Sequence, residues 1–147
     1  MGQQQLLLIV LVTIVVGIAT VVAISIVSTG FTEANRDAVR QDLVSASVMA
    51  QAAWARPLSF NGAGSDYTNK TEGEIMAMLQ IPSSTYDRSA TNPSAELENE
   101  HGVYTLTNRT EASIELSAEP VSGGTITATI SRDETTSSWS VILAESF

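Results

Sequence analysis

The sequence predicts an α+β protein in which a long N-terminal helix, apolar in its first half and amphipathic in its second, packs on a four-stranded antiparallel β-sheet. Two observations predict this class. No Asp, Glu, Lys or Arg occurs before Glu33, so all 16 acidic and all 7 basic residues of the 147 follow one uncharged stretch. Toward the C-terminus the apolar residues change from a helical period to a period of two, which is typical of strands.

Residues 6–27 have the length and composition of a membrane-spanning helix. Of these 22 residues, 18 are Leu, Ile, Val or Ala. As a helix the segment extends about 33 Å, enough to cross the roughly 30 Å hydrocarbon core of a bilayer. The flanking residues 1–5 carry no basic residue, and the apolar run is longer than that of a secretory signal peptide. We therefore expect residues 1–32 to form a retained helix, with a cytoplasmic N-terminus and an exported acidic remainder.

A second helical stretch is predicted over residues 33–56. A kink, melted turn or break is expected at residues 28–30, because a glycine within a helix costs about 1 kcal/mol relative to alanine. An apolar stripe recurs at spacings of four and three and consists of Val39, Leu43, Ala46, Ala50 and Ala53. Val48, Met49 and Trp54 broaden this stripe, so the helix is expected to have two apolar neighbours, one being its own head. The helix residues expected in the core of the head are Val39, Leu43, Ala46, Ala50 and Trp54. Pro57 supplies the stop.

Residues 57–102 are rich in Ser, Thr, Asn, Gly and Pro and are predicted to form a long connection with one short helix. Thr71 and Glu74 fit a capping box at the start of that helix, and Pro82 closes it. Residues 103–147 are predicted to form the sheet, because four short alternating segments are separated by brief turns. The strand residues expected to complete the core are Ile114, Leu116, Ile126, Ile130, Trp139 and Val141.

The sequence contains few residues of the types that act as catalytic groups or metal ligands. The chain has no Cys, which excludes disulfides, iron–sulfur clusters, Cys-ligated zinc and a Cys nucleophile. His101 is the only histidine and stands near Glu96, Glu98 and Glu100. This group is interpreted as a solvated acidic loop, with a weak calcium site as the one metal alternative. Because phosphate-loop, GxSxG and HExxH motifs are also missing from the sequence, we expect no enzymatic activity, no cofactor and no bound metal.

The charge of the chain limits its partners. A net charge of -9 argues against nucleic acid or an anionic membrane surface as a partner of the head, since both would repel it. Asn69 and Asn108 match the acceptor pattern for N-glycosylation in a host that has the machinery.

The order of these segments resembles the type IV pilin superfamily. Residues 6–10 look like the run that begins at the sixth position of mature pilins, and Gly17 lies in a similar small-residue region. Three departures stand out. Gln5 replaces the usual glutamate, and Val22 replaces a common helix-breaking proline. The basic leader ending in glycine is not visible, so either the chain starts after processing or Met1 is the start and the export route differs.

The resemblance implies a structural subunit of an extracellular helical filament, a pilus or fimbrium, that polymerises through its apolar helix. The residues expected in the filament core are Gln3, Gln4, Gln5, Leu6, Leu7, Gly17, Ala19 and Ala23. The implied partners are further copies of the chain, the inner (cytoplasmic) membrane before assembly, and the pilus assembly machinery. Cell adhesion, motility, DNA uptake and surface scaffolding stay open as its use. Two other readings also stay open: a single-pass membrane-anchored extracellular binding domain, and a minor, pseudopilin component of a secretion or uptake machine.

Overall fold

A computed structural model describes residues 2–147. These residues divide into two compact units, one ending at Ala34 and the other comprising Asn35–Phe147. Helix α1 runs from Gly2 to Ala55, so it supplies residues 2–34 to the first unit and residues 35–55 to the second. In the second unit residues 35–55 pack on an antiparallel sheet, which confirms the predicted α+β class.

The predicted break or melted turn at residues 28–30 is wrong, because α1 is helical at each of them. The hydroxyl of Thr29 donates to the carbonyl of Ser25 at 3.0 Å, and that of Thr32 donates to the carbonyl of Ser28 at 3.1 Å. The hydroxyls therefore bond within the helix rather than drawing the backbone into a turn. The cost of one glycine, about 1 kcal/mol, is too small to interrupt so long a helix once it is nucleated.

The connection after α1 is more structured than the sequence predicts. Short 3₁₀ helices lie at Leu58–Phe60 and Tyr67–Asn69, and α2 spans Glu72–Leu79. The predicted capping box is confirmed: the backbone N–H of Glu74 donates to the Thr71 hydroxyl at 3.2 Å, and the N–H of Thr71 donates to the Glu74 carboxylate at 2.8 Å. This backbone hydrogen bond lowers the pKa of Glu74.

The sheet has five strands that follow one another in chain order, each antiparallel to its neighbour. They are β1 (Glu96–Glu98), β2 (Gly102–Arg109), β3 (Ser113–Pro120), β4 (Thr125–Arg132) and β5 (Trp139–Ser146). The last four are the predicted strands. The predicted count is one too few because β1 has only three residues, of which Leu97 alone is buried, and so short a segment shows no alternation.

Alternate residues of β2, β3 and β4 are buried and form one core with α1 and α2. The predicted residues that are buried in this core are Val39, Leu43, Ala46, Ala50, Ile114, Leu116, Ile126 and Ile130. Trp54 and Trp139 are partly buried and meet edge to face, with ring centroids 5.6 Å apart. Val141 departs from the prediction, since it is 38% exposed at the edge strand β5. Core residues that the sequence analysis did not assign include Tyr67, Ile75, Met76, Leu79, Ile81 and Leu97.

Candidate functional site

The first unit presents an apolar surface on every side of its helix. All of residues 6–27 are helical and exposed, and the exposed fraction of their large apolar side chains runs from 49% at Val10 to 69% at Leu7. Helix α1 is long and apolar enough to cross a membrane. A helix that is apolar all round is stable only when lipid or protein surrounds it.

The few polar side chains of this surface are satisfied inside the helix. The hydroxyl of Thr13 donates to the carbonyl of Ile9, and that of Thr20 donates to the carbonyl of Val16, both at 2.8 Å. Burying an unpaired hydroxyl in an apolar medium costs several kcal/mol, about 2 to 7. Because both hydroxyls already have acceptors, the segment can enter lipid or a protein interior without this cost.

Small residues interrupt the apolar surface. Gly17, Ala19 and Ala23 all lie within it. A Cβ built on Gly17 would have no atom within 4 Å, so the fold of this chain does not require glycine there. Glycine nevertheless costs about 1 kcal/mol within a helix relative to alanine. Packing within the described part of the chain therefore gives no reason for glycine at this position.

The three glutamines lie at the start of this surface. Gln3, Gln4 and Gln5 are exposed residues of α1. A neutral amide donates and accepts hydrogen bonds but cannot balance a buried positive charge. Their role in assembly stays a prediction, and Met1 lies outside the described residues.

A polar cluster that the sequence analysis missed ties α1 to the sheet. One carboxylate oxygen of Asp42 accepts hydrogen bonds from the Tyr104 hydroxyl at 2.7 Å and the Asn99 amide at 3.0 Å, and it lies 3.0 Å from Nδ1 of His101. Burial acts to raise the pKa of Asp42, but the three hydrogen-bonding partners together outweigh it, so this pKa is lowered. Burial and the neighbouring carboxylate both raise the pKa of Tyr104. These contacts join Asp42 of α1 to Asn99, His101 and Tyr104 of the sheet region.

Three further hydrogen bonds, two made by Asn35 and one by Trp54, fix the ends of the helical part that lies on the sheet. The side-chain amide of Asn35 donates to the carbonyl of His101 at 2.9 Å, and its oxygen accepts from the N–H of Ser122 at 3.1 Å. About five turns later, the indole N–H of Trp54 donates to the carbonyl of Glu111 at 3.2 Å. Residues 35–55 are therefore held to the turns of the sheet at both ends.

The acidic group around His101 is arranged differently from the predicted loop. Glu96 and Glu98 lie on β1 with exposed side chains, and only Glu100 lies in the turn that follows. His101 is directed toward Asp42 of α1, with Nε2 still 3.7 Å from the Glu100 carboxylate. Residues 2–147 contain no group of three or more His, Asp or Glu side chains close enough together to hold a metal ion.

The two glycosylation motifs both lie on the surface of the head. Asn69 is exposed, and its side-chain amide donates to the carbonyl of Ala63 at 3.1 Å. Asn108 is exposed on β2 beside a register shift between Leu106 and Asn108. Glycosylation of either residue stays a prediction.

Comparison of the chain with protein-family models, curated proteins and solved structures gives no match.

Proposed function

We propose that this chain is a structural subunit of an extracellular, type IV pilus-like helical filament and that it polymerises through the apolar part of α1. One observation carries the proposal. Residues 6–27 expose large apolar side chains around the whole helix, and the same helix continues into residues 35–55, which complete the core of the head. Such a surface is driven out of water. Lipid covers it before assembly, and the same segment of neighbouring copies covers it afterwards.

The small residues support helix-to-helix packing rather than contact with lipid alone. Close approach of two apolar helices is favoured where glycine and alanine let the backbones come near each other. Gly17 has open space around it in the isolated chain, so a neighbouring helix can occupy that space. Lipid tails are flexible, so they pack against a larger side chain about as well as against a glycine at that position.

The head has the surface expected of a filament wall. Its sheet turns Thr125, Thr127 and Thr129 to the face opposite the core, where they are partly exposed. All charged residues follow Thr32, so the net charge of -9 belongs to the chain after that residue. A strongly charged, hydroxyl-rich surface favours solubility. Identical subunits that contact each other through two different patches form an open helical polymer when the rotation between them does not close.

The test compares Gly17→Leu with the matched variant Gly17→Ala, each in the full chain expressed in its own host. Leucine favours membrane insertion, so Gly17→Leu should enter the membrane as well as the wild type does. It should abolish fibres because its side chain fills the space that a neighbouring helix needs. Gly17→Ala adds only one methyl group and should keep the fibres. Fibres sheared from cells are counted by negative-stain electron microscopy, and the subunit in the membrane fraction is measured by immunoblot.

The outcomes separate the alternatives. Fibres formed by Gly17→Leu as abundantly as by the wild type would overturn the proposed packing. A wild-type chain that is abundant in the membrane and never found in fibres would instead be a membrane-anchored binding domain. Deletion of residues 6–27 should abolish both fibres and membrane association.

A further inference from the structure

Exposed apolar side chains lie at the end of the head where α1 enters it. Val121, in the turn between β3 and β4, is 75% exposed, and Phe147, which follows β5, is 57% exposed. Both lie beside the first two residues of the second unit. The Val121 N–H and the Asn35 side-chain amide both donate to the carbonyl of His101, each at 2.9 Å. The Arg36 guanidinium stacks on the Phe147 ring, 3.7 Å from its centroid. We call Arg36, Val121 and Phe147 the proximal surface.

The fold holds this surface in place. The turn that carries Val121 is closed by a hydrogen bond from the N–H of Gly123 to the carbonyl of Pro120 at 2.8 Å. Gly124 has a φ of +89°, which favours glycine, and a Cβ built on it would lie only 2.2 Å from the Phe147 ring. The missing side chain of Gly124 therefore lets that ring lie directly against the turn. Val121 and Phe147 are thus held at the surface by the packing of the head.

The proximal surface lies close to the part of α1 that can cross a membrane. The uncharged stretch ends at Thr32, and Asn35 is three residues farther along the same helix. At about 1.5 Å per residue, Asn35 is about 5 Å from Thr32 and about 12 Å from Val27 along the helix. The headgroup layer is about 5–8 Å thick on each side of the hydrocarbon core. When residues 6–27 cross a bilayer, Asn35 and the side chains beside it are therefore at or just above the level of the headgroups.

The composition of the proximal surface suits that level of a bilayer. Valine and phenylalanine gain free energy when they leave water for the boundary between headgroups and acyl chains. An arginine beside them keeps its charged end among the phosphates while its stem contacts apolar groups. The net charge of -9 opposes contact with an anionic surface. The matching lipid is therefore zwitterionic, because its headgroup has no net charge to repel the head.

We propose that the proximal surface docks on the membrane leaflet next to Thr32 and that Val121 and Phe147 insert at its headgroup boundary. Only seven residues of α1 separate the apolar segment, residues 6–27, from Asn35. This second contact with the bilayer is therefore intramolecular, which gives it a high effective concentration in every copy. Every copy makes the contact in the same orientation, because the same segment spans the membrane. The docking requires lipid to cover residues 6–27 before assembly, as in the proposed function, and does not depend on polymerisation.

The test measures which part of the head contacts lipid. Full-length chains with one cysteine each, in a protein that has none of its own, carry an environment-sensitive fluorophore and are reconstituted at low density into phosphatidylcholine vesicles. A label on Val121→Cys should shift its emission to the blue and be quenched by lipids that carry a nitroxide at the headgroup boundary. A label on Ser59→Cys, an exposed site beyond the other end of residues 35–55, should show neither effect, because about 30 Å of helix separate the two ends. A label on Val16→Cys, quenched by nitroxides deep in the acyl chains, reports insertion of residues 6–27.

A matched pair of substitutions tests the contribution of the exposed aromatic ring. Phe147→Ser should reduce the quenching of the Val121→Cys label, because it removes one of the two inserted side chains. Phe60→Ser removes a ring that is 73% exposed beyond the opposite end of residues 35–55, and it should leave that quenching unchanged. Equal effects of the two substitutions would contradict docking through the proximal surface.

Other results would also overturn the docking. Equal quenching of the Val121→Cys and Ser59→Cys labels would show that lipid contacts the head without a preferred end. An unquenched Val121→Cys label in vesicles where the Val16→Cys label is quenched would show an inserted chain whose head stays clear of the bilayer, and it would leave the proposed function intact. A blue shift at Val121→Cys without quenching by lipid would assign the surface to a second copy instead. An unquenched Val16→Cys label would remove both the docking and the membrane stage of the proposed function.

Discussion

The two parts of α1 differ in what covers their apolar side chains. Residues 35–55 bury Val39, Leu43, Ala46 and Ala50 against a sheet of the same chain. Residues 6–27 are more apolar, yet all of them are exposed. The polar groups differ in the same way. Thr13 and Thr20 bond to their own helix, whereas Asp42 bonds to residues more than fifty positions away. The second unit therefore has its own core, and the first requires surroundings from outside the chain.

A matched pair of Leu→Ala substitutions gives the sharpest test of this difference. Leu43 is fully buried and Leu11 is 57% exposed. Leu43→Ala should lower the free energy of unfolding of the head by about 2–5 kcal/mol, through lost burial and a residual cavity. Leu11→Ala should change it by less than about 0.5 kcal/mol, as substitutions at exposed sites do. Unfolding of the full chain in detergent is followed by the fluorescence of its two tryptophans, both of which lie in the second unit. Equal effects of the two substitutions would show that the head does not fold independently of residues 6–27.

A pair of Gly→Ala substitutions should give a smaller effect of the same kind. A Cβ on Gly73, in α2, would collide with the backbone carbonyl of Pro93, whereas a Cβ on Gly30 would meet open space. Gly73→Ala should therefore destabilise the head by about 1–3 kcal/mol, as overpacking does. Gly30→Ala should leave the unfolding of the head unchanged and favour the local helix by about 1 kcal/mol. The same fluorescence measurement gives the stability of both variants. An unchanged free energy of unfolding in Gly73→Ala would contradict the close packing of α2.

Substitution of Asp42 should lower the free energy of unfolding of the head by about as much as Gly73→Ala does, and this effect should depend on pH. Asp42→Ala removes the acceptor of the buried Tyr104 hydroxyl. It should lower the free energy of unfolding of the head by about 1–3 kcal/mol. The pKa of Asp42 is lowered below its ordinary value of 3.8. Its charge therefore stabilises the head fully above that pH, and this contribution is lost as the pH falls through the lowered pKa.

The measurement is the difference in unfolding free energy between the wild type and Asp42→Asn from pH 6 to pH 2.5. This difference should shrink below about pH 3.8, the ordinary pKa of an unfolded aspartate. Ser140→Ala, which replaces an exposed side chain that does not titrate, is the control and should show a flat difference. A difference that is constant for Asp42→Asn as well would mean that the hydrogen bonds do not favour the charged form.

The smallest expected effect belongs to the cap of α2. Thr71→Ala removes the hydroxyl that accepts from the Glu74 N–H and should cost about 1 kcal/mol, within a range of roughly 0.5–2. Thr71→Ser keeps an acceptor and should restore most of the stability. Hydrogen exchange of the first α2 amides reports the change locally. If those amides exchange no faster in Thr71→Ala, the cap is not needed to hold the helix.

Features with a local pattern could be predicted from the sequence. The uncharged stretch gave the apolar helix, the spacing of Thr71 and Glu74 gave the capping box, and alternation gave the four longer strands. The same periodicities identified most of the buried helix and strand residues. Strand β1 was missed because three residues carry no periodicity.

Features that depend on distant partners could not be predicted in this way. Asp42 is one of two charged residues between Val39 and Leu43, the other being Arg40, and nothing near Asp42 in the sequence indicates Tyr104 as its partner. Val141 has the alternation of an inner-face residue, but exposure depends on whether another element covers its strand. The expected break at residues 28–30 failed for a related reason, since local propensity alone does not include the hydrogen bonds that the helix itself provides.

The sequence by itself determined that the chain has two segments of different composition, an uncharged apolar helix and an acidic head of helix and strands. Both can be recognised locally, because hydrophobic period and charge are properties of neighbouring residues. The tertiary structure decided which apolar residues are buried by other parts of the same chain. Residues 35–55 lie on the sheet and are covered, while β5 is left as an open edge and residues 6–27 stay exposed. Burial is a long-range property, because it depends on which surfaces meet, and that is set only when the whole chain has folded.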